Sequence, residues 1–169
     1  MKIERLKALF YYKDGNLFNK TSRGSAKKDT LAGYIAEDGY RRVRVDGKQY
    51  YIHRLTWFLL TNKEVPTDLF IDHIDGNRQN NHIENLRLAS SLENQYNKSR
   101  QVNGTSMFKG VWYDSVKDCW KASIRLHDKR FYIGQFPTEL EAAIAYDELA
   151  IKVQGKFAKL NVLTGSISD

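Results

Sequence analysis

Cysteine is almost absent from this chain of 169 residues, in which Cys119 is the single example. One thiol cannot form an internal disulfide or build a paired-cysteine zinc site, so we expect a reducing, intracellular compartment. No apolar run of about eighteen residues exists, and the sequence therefore predicts no membrane-spanning helix. The opening residues 1–5 lead into no apolar stretch of the secretory type, so no signal peptide is expected.

Acidic residues are in short supply, with 20 Asp and Glu against 27 Lys and Arg and a net charge of +7. Residues 1–100 hold 18 bases and 12 acids, whereas residues 101–169 hold 9 and 8. A basic excess on a small chain favours a polyanionic partner, with nucleic acid ahead of a membrane surface. No pattern indicates a membrane or a protein partner.

The hydrophobic pattern predicts an α+β chain. The first half contains two hairpins turning at Asp14-Gly15 and Asp46-Gly47, and then a buried helix over 54–61. Pro66 should end the region that contains this helix. A strand (69–74), a polar loop, a second strand (86–88) and a helix from the Ser90 cap to about Lys98 should follow. The second half predicts a three-stranded antiparallel sheet packed on one helix, with strands at 109–113, 120–125 and 130–136 and a helix over 138–153.

The polar segment 99–107 separates these halves and is typical of a linker. We therefore predict one domain over residues 1–98 and a second over 108–163, followed by a flexible tail at 164–169.

Asp72, His73, Asn85 and Asn94 carry the candidate chemistry of the first half. Hydrolysis of a phosphodiester needs a base to deprotonate water, and a neutral imidazole is such a base near pH 7. It also needs a cation for the charged transition state, and carboxylate and amide oxygens are ligands for Mg²⁺. Alternation along a strand points Asp72 and His73 to opposite faces, so a shared site must lie at the end of that strand.

This stretch resembles the His-Asn-His (HNH) nucleases of the ββα-metal class, close to the phage and intron homing endonucleases. The matching motifs are residues 52–55 (IHRL), 71–77 (IDHIDGN), 80–87 (NNHIENLR) and 93–94 (EN). The resemblance implies that His73 is the general base, and that Asp72 and Asn94 hold one divalent metal ion, Mg²⁺ with Mn²⁺ as the alternative. It also implies that Asn85 orders the loop and the base, and that the protein is of phage kind. His82 departs from the family pattern, where Arg is usual.

Simpler interpretations exist for single residues of this set. Asp-Gly-Asn at 75–77 is also a common turn, and the Asn residues could be caps. A calcium loop is excluded, because aligning Gly76 with its invariant glycine puts Ile71 at the first ligand position. His53 is interpreted as a structural or phosphate-contacting residue. Arg78 and Arg87 are candidate DNA-phosphate contacts, with a solvated surface role as the equal alternative.

The predicted sheet of the second half has one apolar face and one face rich in bases and aromatic rings. Such an open face can enter the major groove of DNA. The residues expected on it are Lys109, Trp112, Lys121, Arg125, Arg130 and Tyr132.

This half is similar to the Apetala-two (ethylene-response-factor) DNA-binding domain, which also occurs fused to HNH nucleases. The motifs that carry the similarity are 109–111 (KGV), 120–125 (WKASIR), 130–136 (RFYIGQF), 141–143 (EAA), 145–147 (AYD) and 155–161 (GKFAKLN). The similarity implies that the sheet contacts DNA through Lys109, Trp112, Arg125, Arg130 and Tyr132. Trp112 stands where plant members usually carry Arg, so their base preference does not transfer.

The sequence thus predicts a metal-dependent DNA endonuclease, of homing type by resemblance, targeted by its C-terminal domain. The first alternative is a non-catalytic, sequence-specific DNA-binding regulator that uses the second half alone. A second is an RNA-binding or structural module, although the chain shows no RNA-recognition signature.

Overall fold

The computed structural model describes residues 3–98, 104–127 and 129–163, so most of the expected linker (99–103) and the expected tail (164–169) lie outside the described residues. The described chain divides into two compact units, the first ending at Ser91 and the second beginning at Leu92. The α+β class is confirmed. Within the described ranges, no helix has the length and apolar character needed to cross a membrane.

The first unit opens with a helix that the sequence analysis did not predict, α1 (Ile3–Leu9), and with the first predicted hairpin, β1 (Phe10–Lys13) and β2 (Asn16–Asn19). Asp14 and Gly15 both have positive φ, 47° and 74°, which is the conformation of a type I′ turn. A side chain at Gly15 is excluded for a second reason, because its Cβ would lie 2.4 Å from the ring of His82.

A three-stranded antiparallel sheet follows, in the order β3 (Tyr34–Ile35), β4 (Arg41–Val45) and β5 (Lys48–Tyr51). It leads directly into α2 (Ile52–Thr61). The predicted end of this helix at Thr61 is confirmed: Asn62 follows in the left-handed conformation, and its N–H donates to Phe58 O at 3.0 Å. The core of these elements consists of Leu6, Leu9, Phe10, Leu17, Ala32, Val43, Val45, Ile52 and Leu55.

The strand–loop–strand–helix order predicted for the candidate site is confirmed. Strands β6 (Phe70–His73) and β7 (Leu86–Ala89) pair antiparallel, and a 3-10 turn over Ile83–Asn85 closes the loop between them. The helix α3 (Ser91–Tyr96) comes next, and the boundary between the two units falls within it.

The second unit contains the predicted antiparallel sheet, β8 (Val111–Asp114), β9 (Cys119–Leu126) and β10 (Lys129–Phe136), in the order β10-β9-β8. Its helix α4 (Glu139–Gln154) begins at the predicted capping box of Thr138 and Glu141. Three buried alanines of α4 let the helix pack closely on the sheet: Ala142, Ala143 and Ala150. The fully buried Tyr146 fills the remaining space.

Candidate functional site

Asp72 and His73 end strand β6 and are both buried, with 6% and 4% of their surface exposed. Asp72 lies opposite Arg87 in the register of β6 and β7. Its Oδ2 accepts hydrogen bonds from Arg87 Nε at 2.9 Å and Nη2 at 2.8 Å. The guanidinium of Arg87 is therefore engaged by a buried carboxylate, which differs from the solvated or DNA-phosphate role that the sequence suggested for it.

The orientation of His73 is set by a residue that sequence reasoning missed. The Nε2 of His73 lies 3.1 Å from Oδ1 of Asn81, which is 1% exposed. The amide nitrogen of Asn81 donates to Gln79 O at 3.2 Å, so its oxygen is the atom turned toward the imidazole. An acceptor facing Nε2 favours the tautomer with the hydrogen on Nε2. The lone pair of the neutral ring is then on Nδ1.

The side chain of Asn85 makes three hydrogen bonds in the loop between β6 and β7. Its Oδ1 accepts from Asp75 N at 3.0 Å, and its Nδ2 donates to Asp75 Oδ1 at 2.9 Å and to Asn80 O at 2.8 Å. These three bonds tie the first residues of the loop to its last, and in the described chain none reaches the His73 ring. The asparagine that contacts the His73 ring is Asn81.

The carboxylate of Asp75 is the centre of this loop. Burial opposes its ionisation, but hydrogen bonds from Asn80, from the N–H of Asn77 and from Asn85 outweigh that cost and lower the pKa of Asp75. The loop is therefore held by a charged acceptor with several donors, which keeps Asn81 in place beside His73.

Two rings, those of His53 and Tyr40, contact the His73 imidazole. His53 meets it edge-on with ring centroids 5.2 Å apart, and Tyr40 lies at 5.9 Å. Tyr40 and Tyr51 also contact His53, at 5.2 Å and 5.3 Å. Burial, the nearby His73 and Arg54 lower the pKa of His53 to about 3. His53 is therefore a neutral, buried side chain that packs against His73. This fits the structural role that the sequence suggested for it better than contact with a phosphate.

Arg78 is exposed beside this aromatic group. Its Nη1 donates to Asp38 O at 2.6 Å, and its guanidinium carbon lies 5.0 Å from the centre of the Tyr40 ring. Stacking on an aromatic face leaves the other donors of an arginine turned outward. Arg78 therefore fits the predicted contact with a phosphate near His73 better than Arg87 does.

The candidate metal ligands, Asp72 and Asn94, both carry oxygen donors. Asp72 offers a buried carboxylate, and Asn94, on α3, has a side chain that makes no hydrogen bond within the described part of the chain. Across the same residues, no group of three or more His, Cys, Asp or Glu side chains is placed to hold a metal ion. Carboxylate and amide oxygens are both ligand types that Mg²⁺ takes, and this ion usually keeps several waters and few protein ligands.

The strand register places five of the six predicted DNA-reading residues on one face of the sheet: Trp112, Lys121, Arg125, Arg130 and Tyr132. Arg125 lies directly opposite Arg130, and Trp112 lies directly opposite Lys121. Both arginines are exposed, Tyr132 is 55% exposed, and no described carboxylate lies within salt-bridge distance of either arginine. Like charges directly opposite each other destabilise a sheet, and a bound phosphate would offset that cost.

Two of the predicted DNA contacts have partners inside the second unit. Lys121 forms an ion pair with Asp114, and that hydrogen bond raises the pKa of the lysine. Lys109 is half-buried, and its ammonium donates to the backbone oxygen of Tyr96 near the end of α3. Burial and the nearby Lys159 lower the pKa of Lys109 to about 8. The geometry therefore gives Lys109 a role in holding α3, which the sequence did not indicate.

Comparison with known proteins identifies both halves. A family model described as HNH endonuclease matches residues 50–96, and a model described as AP2 domain matches residues 106–156. Protein 3.8 of Escherichia phage T7 is 33% identical over 92 residues, which cover 52% of this chain and 75% of that protein. The chain belongs to the HNH endonucleases. It carries an AP2 domain after the nuclease motif.

Other relatives support the same combination. An uncharacterized HNH endonuclease of Acanthamoeba polyphaga mimivirus is 36% identical over 128 residues, covering 76% of this chain. An AP2-like ethylene-responsive transcription factor of Arabidopsis thaliana is 28% identical over 152 residues, covering 88% of this chain. The chain spans 65% of the length of the mimivirus protein and 24% of the plant protein. No solved structure matches this HNH–AP2 chain significantly.

Proposed function

We propose that this HNH–AP2 protein is a metal-dependent endonuclease that hydrolyses phosphodiester bonds of double-stranded DNA, with His73 as the general base. The observation that carries the proposal is the buried imidazole whose Nε2 faces the amide oxygen of Asn81. This contact leaves the basic lone pair of the neutral ring on Nδ1. The family match to residues 50–96 and the viral relatives support the same reaction, and they support a phage-type protein acting inside a cell.

The proton and bond changes follow from that tautomer. Nδ1 of His73 accepts a proton from water, and the water oxygen attacks the phosphorus in line. The bond from phosphorus to the 3′ oxygen breaks, and the departing oxygen takes up a proton from solvent. The products have 5′-phosphate and 3′-hydroxyl ends. The bond to Asn81 stabilises the imidazolium that forms in this step, because Nε2–H remains a donor.

The divalent metal of the proposal is Mg²⁺, with Mn²⁺ as the alternative, and Asp72 and Asn94 are its protein ligands. A bound cation would neutralise the charge that develops on the phosphate and on the leaving oxygen. Asn85 belongs to the catalytic set through the loop, which it holds in place by its bonds to Asp75 and Asn80. Arg78, stacked on Tyr40, is the proposed phosphate contact closest to this machinery.

The AP2 domain is proposed to anchor the nuclease on its target through Trp112, Arg125, Arg130 and Tyr132, with Lys121 contributing beside Asp114. We propose that residues 1–98 form the nuclease domain, 99–107 a linker and 108–163 the DNA-binding domain. We also propose a homing role, because the nuclease half resembles the phage and intron homing endonucleases.

Cleavage of supercoiled plasmid tests this function. We expect nicked or linear DNA with Mg²⁺, no cleavage with EDTA, and no cleavage by His73→Ala, which should still bind DNA. Cleaved ends should be joined by a ligase without prior treatment, because they carry a 5′-phosphate and a 3′-hydroxyl. Cleavage that survives both EDTA and the substitution would contradict the mechanism. Specific binding without cleavage by the wild-type protein would support the non-catalytic regulator instead.

A further inference from the structure

The positive charge of this chain is concentrated outside both family matches. Residues 1–49 contain 12 Lys and Arg and 6 Asp and Glu, so they carry a net charge of +6. Residues 50–100, which include the nuclease motif, contain 6 of each and are neutral overall. The strongest electrostatic attraction for a polyanion therefore lies in a segment to which neither family model assigns a role.

This segment forms a cleft of about 520 Å³. One wall is the loop between β2 and β3, and the other is the edge of the sheet formed by β3 and β4. The loop is preformed: Arg23 and Ala26 exchange backbone hydrogen bonds of 2.8 Å and 2.9 Å, and Asn19 N donates to Thr30 O at 2.9 Å. A cleft with fixed walls can bind a ligand without first paying for the ordering of a loop.

Two arginines line the cleft, one on each wall, Arg23 on the loop and Arg44 on β4. Arg23 is held in place because Nη2 donates to Asn19 Oδ1 at 3.2 Å and its guanidinium carbon lies 4.8 Å from the centre of the Phe10 ring. Its Nε is buried without a hydrogen-bond partner. In the described chain, no carboxylate lies within salt-bridge distance of either arginine.

The other polar groups of the cleft suit the same ligand. Ser25 supplies a hydroxyl group, and Tyr34 supplies a half-exposed ring. Asp46 is the one acid on these walls, and it is paired with Arg5 at 3.1 Å, so its charge is already compensated. Arginine, serine, threonine and tyrosine are the side chains that proteins commonly use to contact the phosphates of DNA.

We propose that the cleft bounded by Arg23 and Arg44 is a second DNA-binding site, which holds the phosphate backbone of the duplex independently of sequence. The inference rests on the proposed function, because it takes duplex DNA as the partner. It adds that much of the affinity comes from the N-terminal segment, while the AP2 sheet, in a region of nearly balanced charge, supplies sequence preference.

The test is the salt dependence of binding by the full-length chain to uncut duplex DNA in EDTA, followed by fluorescence anisotropy. Each phosphate contact contributes about 0.9 to the slope of log K against log salt concentration. Arg23→Gln with Arg44→Gln should therefore reduce the slope by about 1.8. Arg23→Lys with Arg44→Lys keeps both charges, and this variant should retain most of the wild-type slope.

The control is Lys13→Gln with Lys63→Gln, which removes two exposed charges of the same unit that do not line the cleft. We expect its slope to stay at the wild-type value. A slope that is unchanged in the arginine variant, or reduced equally in the control, would overturn the cleft as a site. Either result would leave the nuclease proposal standing, since cleavage is measured separately. A wild-type protein that does not bind duplex DNA would overturn both.

Crosslinking gives a second measurement that does not depend on the folding of the arginine variant. In a Cys119→Ser background, Ser25→Cys places the single thiol on the wall of the cleft, and Thr67→Cys places it on an exposed loop that does not line it. After attachment of a photoreactive label, we expect DNA to crosslink to position 25 and not to position 67. Equal crosslinking at both positions, or none at position 25, would contradict the proposal.

Discussion

The candidate catalytic residues and the candidate DNA-reading residues of this protein differ in how far they are exposed. Asp72, His73 and Asn81 are at most 6% exposed, and each is bound to a neighbouring side chain or backbone group. On the AP2 sheet, Tyr132 is 55% exposed, and Arg125 and Arg130 are exposed as well. Proton transfer needs groups held in one geometry, whereas reading DNA needs side chains that the grooves can reach. Substitutions in the two regions should therefore fail in different ways.

The largest effect on stability is expected at the buried ion pair. Asp72→Ala leaves the Arg87 guanidinium in its buried position without this carboxylate, which should cost about 3–5 kcal/mol in the free energy of unfolding. The control is Asp46→Ala at the exposed pair with Arg5, which should cost no more than about 1 kcal/mol. Urea unfolding measures both. Equal losses would mean that the ion pair of Asp72 with Arg87 stabilises the fold no more than an exposed ion pair does.

Truncation of Asn81 should lower the rate of cleavage more than the affinity for DNA. Without its amide oxygen, nothing in this contact selects the Nε2–H tautomer of His73, and we expect kcat to fall by about 10- to 100-fold. Gln79→Ala is the matched control, because only the backbone oxygen of Gln79 takes part in the network. A normal single-turnover rate in Asn81→Ala would remove this residue from the mechanism.

Substitutions on the AP2 sheet should lower the affinity for DNA more than the rate of cleavage. Arg125→Ala or Arg130→Ala should weaken binding while leaving the rate at saturating DNA unchanged. A phosphate contact would lower the salt slope by about 0.9, and a base contact would cost about 1–3 kcal/mol in a sequence-dependent way. Lys129→Ala, an exposed base at the start of the same strand, is the control. If either arginine variant lost turnover but kept its affinity for DNA, the assignment of DNA binding to the AP2 sheet and of catalysis to the nuclease half would be wrong.

The buried His53 should make the first unit sensitive to acid. Its pKa is lowered from 6.5 to about 3, mainly by burial. Because the unfolded state takes up the proton first, stability is lost as the pH falls below about 6.5, by at most about 1.4 kcal/mol per pH unit.

His53→Gln should remove this part of the pH dependence, which amounts to roughly 2 kcal/mol between pH 6.5 and pH 5. Unfolding by urea at the two pH values measures it. The exposed His127 of the second unit is the control, and His127→Gln should leave the dependence as it is. An identical pH dependence in wild type and His53→Gln would show that His53 does not titrate in this way.

The smallest effect is expected at Lys109, which the family resemblance assigns to DNA and the geometry assigns to Tyr96 O. Lys109→Met keeps the length of the side chain and loses the hydrogen bond, which should cost about 1 kcal/mol in stability. The salt slope for DNA binding should not change. A slope reduced by about 0.9 would restore Lys109 to the DNA contacts.

The local elements were predictable where short-range chemistry determines them. Asp14-Gly15 and Asp46-Gly47 specify two-residue turns, and Thr138 with Glu141 specifies the start of α4. The site was predictable only in part, because side-chain partners depend on the path of a loop. Nothing in the sequence distinguishes Asn81 from Asn80 or Asn85 as the partner of His73, and the pairing of Arg87 with Asp72 required the register of β6 and β7.

Chemical rescue of His73 tests the central claim most directly. His73→Gly should bind DNA normally and lose cleavage by about 100-fold or more, the usual contribution of a general base. Added imidazole should then restore cleavage in proportion to the concentration of its neutral form, and only when Mg²⁺ is present. His73→Gly that cleaves DNA at the wild-type rate without imidazole would contradict the assignment of His73 as the base.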